Sequence, residues 1–138
     1  MVIAPITPAQ FDAAIELWHE AGVTRPWNDP LDDLRRAVAG PASTVLAGSD
    51  GETLLAAAMV GHDGHRGWVY YVAVRVEARG LGHGRAMMRA CEEWLAERRV
   101  PKINLMVRGE NGPARAFYAA LGYRHDDVVV LSHRLQGP

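Results

Sequence analysis

The sequence predicts a single α/β domain with a mixed sheet, in the order β-α-α-β-β-β-α-β-α-β. Three observations carry that reading. Two capped, amphipathic helical stretches follow a short apolar run at the start of the chain. Apolar runs joined by short polar turns fill the middle, and a strand–glycine turn–helix–strand unit comes after them. Hairpins make antiparallel neighbours and a β-α-β crossover makes parallel ones, so one sheet must hold both. At 138 residues the chain suits one domain, and no linker-like stretch marks a second.

The first run, "VIAPI", contains a proline and reads as an edge strand. In "TPAQFDAAIELWHEAG", Thr7 stands at the N-cap, Pro8 at the first helical position and Gln10 where a capping box needs it. Phe11, Ala14, Ile15 and Trp18 share one face, and Gly22 is placed to end the helix. The loop "VTRPWN" leads to a second helix, "DPLDDLRRAVAG", capped by Asn28 or Asp29 ahead of Pro30. "STVLAG", the turn "SDGE" and "TLLAAAMVG" predict a β-hairpin, and "HDGHRG" turns the chain into a further strand, "WVYYVAV". A helix from about Arg85 to Arg99 follows, with Met87, Met88, Cys91, Trp94 and Leu95 as its apolar stripe. Strand "KINLMV", helix "GPARAFYAALG" and a last strand within "DVVVLSHRL" complete the order.

Composition narrows the function classes. A net charge of −1 gives no general affinity for nucleic acid or anionic membrane. No apolar run approaches the 18 or so residues that a membrane span needs. The N-terminus lacks the basic and apolar regions of a signal peptide, and the single cysteine suits a reducing compartment, so a cytoplasmic protein is expected. Six scattered histidines and one cysteine offer no metal-ligand spacing, so no metal is expected.

The stretch "ARGLGHGRAMM" sets Gly80, Gly82 and Gly84 at alternate positions just before a helix, with Arg79 and Arg85 on either side. Bare glycines let backbone N–H groups approach an oxyanion, and a helix N-terminus favours negative charge. The arginines would add charge-assisted bonds. A P-loop fails for want of a lysine, and a dinucleotide fingerprint fails because the pattern is GxGxG and Asn104 stands near where its acid belongs. The plain alternative is a tight turn whose glycines only permit close packing.

About thirty residues later come Asn111-Gly112-Pro113-Ala114, Phe117-Tyr118 and Leu121-Gly122-Tyr123. With Arg79-Gly80-Leu81-Gly82-His83-Gly84, these stretches resemble the GNAT superfamily of CoA-dependent N-acetyltransferases. The turn matches that family's Q/R-x-x-G-x-G/A loop, and the later residues match its N-x-x-A and F-Y-x-x-L-G-F/Y signature. "RPWNDP" and "GHDGHRG" look like its small YpeA-like bacterial branch. The resemblance implies acetyl-CoA as co-substrate and an amine acceptor, with no metal. It implies that the backbone at Val72 and Val74 holds the pantetheine arm. Backbone amides of Gly80, Leu81, Gly82, His83, Gly84 and Arg85 would cradle the pyrophosphate, with Arg79 and Arg85 beside it. Asn111 would steady the pantetheine or the helix start, and Tyr118 would protonate the departing thiolate. A phenol can serve as general acid, although its ring could simply be core.

The general base is not carried over. Relatives place a glutamate on the fourth or fifth strand, whereas "WVYYVAV" has no acid and Met106 stands at the matching place in the fifth. Tyr70, Asp29, His62, Asp63, His65 or a water chain are substitutes. Trp27 either plugs the core or lines a pocket. Cys91 falls on a buried stripe, where a thiol is inert packing, so direct attack by the amine is expected. Two rivals stand beside the enzyme: a non-catalytic acyl-CoA binding or sensing module that kept the loop and lost the base, and a phosphate-binding protein whose turn mimics the motif. The apolar last strand could pair across a homodimer edge.

Overall fold

The computed structural model describes residues 1–137. The chain divides into two compact units, Met1–Met106 and Val107–Pro138. The first holds a five-stranded sheet in the order β1-β2-β3-β4-β5, with β1 Val2–Pro5, β2 Ser43–Asp50, β3 Thr53–His62, β4 Gly67–Val74 and β5 Ile103–Leu105. Neighbours from β1 to β4 pair antiparallel, and β4 pairs parallel with β5. The mixed sheet is therefore as expected, and the proline-bearing first run lies at its edge.

Helices α1 (Phe11–Glu20) and α2 (Pro30–Ala39) join β1 to β2, and α3 (His83–Glu97) joins β4 to β5. A single 3₁₀ turn, Pro8–Gln10, leads into α1, where Gln10 Oε1 accepts from the Thr7 N–H at 3.0 Å. Beyond α1, Gly22 takes φ +72°, the left-handed conformation of a helix stop. Asp29 caps α2, its carboxylate accepting from the Leu31 and Asp32 N–H groups.

Side-chain alternation sends Val45, Ala47, Ala57 and Ala73 into a core with Ala14, Leu17 and Trp18 of α1 and Leu34 and Ala37 of α2. The alternate residues Leu46, Ala56, Ala58, Val60 and Val69 are buried too, as are Met87, Met88, Cys91 and Leu95 of α3. Trp94 stays half-buried on that helix, under the guanidinium of Arg98 at 3.6 Å.

In the second unit, α4 (Gly112–Ala120) is the only regular element among the described residues. The expected last strand is thus a correction: "DVVVLSHRL" forms no strand. The unit offers it no neighbour to ladder against, and Val128 to Leu131 stay 61–90% exposed. The fifth strand is shorter than "KINLMV". Its pairing stops at Val69↔Leu105, just before β4 loses its regular register.

Gly67 opens β4 beneath Leu95 of α3; a β-carbon there would lie 2.4 Å from Leu95 Cδ1. Gly67→Ala should therefore cost about 1–3 kcal/mol of stability by overpacking. Urea unfolding reads it as a lowered midpoint at unchanged slope.

Candidate active site

Beyond β4 the chain makes a 3₁₀ turn, Val76–Ala78, and then the glycine turn. Gly80 and Gly82 have φ of +79° and +85°, values that glycine adopts at little cost. Open space surrounds both positions, with nothing within 4 Å of a built β-carbon. Gly82 is the N-cap of α3, so no side chain bonds the helix start, and the first turn holds no acid. The contrast with α2 is direct, since there Asp29 caps and Asp32 and Asp33 occupy the first turn. The first N–H groups of α3, around His83, Gly84 and Arg85, have no helical acceptors and sit at the positive end of its dipole. Arg79, Leu81 and Arg85 are exposed around them. Arg79 folds back on the strand, its Nε donating to the Val74 carbonyl at 3.2 Å. One of the two backbone positions expected to hold the pantetheine arm thus already has one lone pair engaged.

Strand β4 contains a bulge. Ala57 faces Ala73 and Met59 faces Tyr70, so Tyr71 and Val72 together oppose Ala58 alone. Tyr71 has φ +56°, left-handed backbone that costs a non-glycine residue about 1–3 kcal/mol. A regular strand sends neighbouring side chains to opposite faces. Here both Tyr70 and Tyr71 line one cleft of about 630 Å³, with Trp68, Met59 and His62 from the sheet and Asp33 from α2. The Tyr71 hydroxyl donates to Asp33 Oδ2 at 2.8 Å, and Asp33 Oδ1 pairs with Arg36. Burial first, and then the bond to Asp33, push the Tyr71 phenol well above its ordinary range. Tyr70 is raised as well, by burial.

The substitute bases fare poorly. Asp29 is committed to its cap. Asp63 accepts from the His65 and Arg66 N–H groups, which hold its carboxyl below the usual range. A raised Tyr70 keeps its proton at neutral pH. His62 Nδ1 accepts from the Gly64 N–H at 3.1 Å, a tautomer that leaves Nε2 as a donor. His65 is exposed in the turn, and Trp27 is 52% exposed and fills no core.

In the second unit Asn111 caps α4, its side chain accepting from the Ala114 N–H at 3.2 Å. Tyr118 is half-buried with its ring edge-on to Phe117 at 4.9 Å and to Tyr123 at 5.7 Å. Gly122, at φ +94°, turns the chain after this helix.

The model of the Acetyltransferase (GNAT) family matches residues 10–123, a span that takes in the cleft, the glycine turn and α4. The chain belongs to the GNAT acetyltransferase family. It is 36% identical over 125 residues to an acetyltransferase of Yersinia pestis, covering 91% of this chain and 89% of that one. A crystal structure of aminoglycoside 6'-N-acetyltransferase from Acinetobacter haemolyticus superposes with a TM-score of 0.80 at 17% identity, covering 99% and 100% of the two chains. A predicted acetyltransferase of Clostridium acetobutylicum, solved with acetyl-CoA, gives 0.76 at 13% identity, covering 96% and 95%. These likenesses show the fold, and the family makes the protein an acyl-CoA-dependent N-acetyltransferase. The chain's own residues fit that co-substrate: the uncapped start of α3 and its arginines suit a pyrophosphate. No helix is long and apolar enough to cross a membrane among the described residues, and no group of three or more candidate metal ligands occurs there.

Sequence reasoning missed Asp33, Arg36 and Tyr71. The acid–base pair three apart in "DDLRR" was a visible signal for the first two, whereas the bulge that turns Tyr71 into the cleft leaves no mark in an apolar run. Cys91 is fully buried and its thiol is pushed up to about 12, chiefly by burial. A thiol so protonated makes no nucleophile at neutral pH. The native acetyltransferase should therefore resist iodoacetamide at pH 7.5, and unfolding in guanidinium should expose one reactive equivalent by mass.

Proposed function

We propose that this acetyltransferase, a single domain over residues 1–138, moves an acetyl group from acetyl-CoA to a primary amine by direct attack. The observation that carries the proposal is the start of α3, open, cationic and without a capping side chain. Backbone N–H groups from Gly80 to Arg85 take the pyrophosphate, and Arg79 and Arg85 add charge. The β4 backbone at Val72 and Val74 takes the pantetheine arm in the manner of an added strand. An N–H freed by the bulge stabilises the charge that builds on the thioester carbonyl as the amine attacks.

Asn111 holds the start of α4 and steadies the arm, and Tyr118 donates its phenolic proton to the departing thiolate. The acceptor enters by the cleft beside Tyr70. Its own proton passes to water there, since the bonding of Asp29, Asp63 and His62 favours none of them as base. A cytoplasmic homodimer, with the apolar run Val128–Leu131 covered by a second copy, belongs to the same reading.

Calorimetric titration with acetyl-CoA should give micromolar affinity, and an amine panel followed by thiol release should then reveal turnover. Gly82→Ala with Gly84→Ala should weaken that binding about tenfold, while left-handed strain at position 82 costs about 1 kcal/mol of stability. Unchanged affinity would remove the phosphate assignment. Tyr118→Phe should lower turnover about 10²-fold with acetyl-CoA affinity retained; equal turnover from pH 6 to 9 would remove the acid role.

A further inference from the structure

The reaction proposed above depends on a bulge in β4, and two contacts converge on the residue that makes it. Tyr71 holds a left-handed backbone that a non-glycine residue leaves unless its surroundings fix it. Its ring stacks on Trp18, with centroids 4.5 Å apart and planes 25° from parallel. Trp18 is fully buried in α1 and its Nε1–H meets no acceptor among the described residues, so its contribution is the face of its ring. The Tyr71 hydroxyl donates to Asp33 Oδ2 at 2.8 Å. Asp33 is fixed in turn, with Oδ1 on Arg36 and its N–H donating to the Asp29 carbonyl at 2.9 Å.

This clamp sets the face that Tyr71 occupies. Val69 is buried on the side of the sheet away from the α1–α2 core, and unbroken alternation would put Tyr71 on that side as well. The bulge carries Tyr71 to the α1–α2 face with Ala73. Without it the strand would slip by one position, and the backbone groups of Val72 through Val74 would change places.

We propose that Asp33, acting through the Tyr71 hydroxyl, is a positioning residue that keeps the β4 bulge in place for the thioester. This rests on the acetyl-transfer reading above. Asp33 acts here as a hydrogen-bond acceptor and not as a charge, which separates the proposal from one in which its carboxylate meets the amine directly.

The test compares Tyr71→Phe, Asp33→Ala and Asp33→Asn with the wild-type enzyme. An asparagine carbonyl still accepts from the phenol, and its amide group gives up only the pair with the exposed Arg36, which can turn to solvent. Asp33→Asn should therefore keep turnover within about threefold of wild type. Asp33→Ala and Tyr71→Phe should each lose about tenfold or more in kcat while CoA affinity changes by no more than about twofold. Loss in Asp33→Asn as deep as in Asp33→Ala would overturn the proposal and make Asp33 a group that acts by its charge. Wild-type turnover in Tyr71→Phe would overturn it too. Backbone carbon shifts at position 71 in the free proteins read the sign of φ without any catalysis. The left-handed value should persist in wild type and Asp33→Asn and be lost in Asp33→Ala. Its persistence in all variants would sink the clamp even if no amine were ever turned over. Absence of CoA binding by wild type would instead sink the acetyl-transfer reading and leave the clamp to the shift measurement alone.

Discussion

The acetyltransferase is organised around a helix start with no side chain to cap it, and the packing of α3 is what permits that. With glycine at the N-cap in place of a capping side chain, the helix forgoes only about a few tenths of a kcal/mol. Burying Met87, Met88, Cys91 and Leu95 contributes about 1.5–3 kcal/mol for each large apolar side chain. Packing exceeds the missing cap severalfold, so the helix forms with its N-terminus open. Gly67 completes the arrangement by leaving the space that Leu95 enters. The same contacts hold α3 beyond the 3₁₀ turn and the glycine turn that follow β4. Arg75 anchors that exit, with its N–H and Nε donating at 2.7 Å to the carbonyls of Leu55 and Leu54.

The bulge in β4 answers a different demand. A strictly alternating strand offers a cleft only every second side chain, and "WVYYVAV" is apolar on both faces. One extra residue breaks the alternation, brings Tyr70 and Tyr71 to the same side, and leaves backbone groups that the β3 ladder does not use. The parallel ladder to β5 stops at Val69, so β4 beyond it is unpaired by β5. The strain at Tyr71 is held by contacts to α1 and α2, which ties the shape of the strand to helices distant in sequence.

Local chemistry was legible in the sequence and long-range geometry was not. Thr7 with Gln10, Asp29 ahead of Pro30 and Gly22 after α1 announce their helices because each signal acts within four residues. The glycine turn was legible for the same reason: left-handed backbone at Gly80 and Gly82 needs the residue type that the sequence shows. The run "VVVL" satisfies every local rule for a strand, yet a strand exists only against a neighbour, and its unit supplies none among the described residues. The link from Asp33 to Tyr71 spans 38 positions, and the bulge beneath it follows from pairing with β3 rather than from any residue of β4 alone. The candidate site was therefore half visible, the glycine turn plainly and the cleft only as a loose set of polar residues.

The central claim is that the start of α3 binds the pyrophosphate of the co-substrate. Parallel calorimetric titrations with acetyl-CoA and with acetyl-pantetheine, which carries the same thioester without the nucleotide or its phosphates, test it most directly. The account predicts micromolar affinity for acetyl-CoA and a loss of about 10²-fold or more, close to 3 kcal/mol, for acetyl-pantetheine. Equal affinity for the two would contradict it, and would leave the open helix start without a ligand.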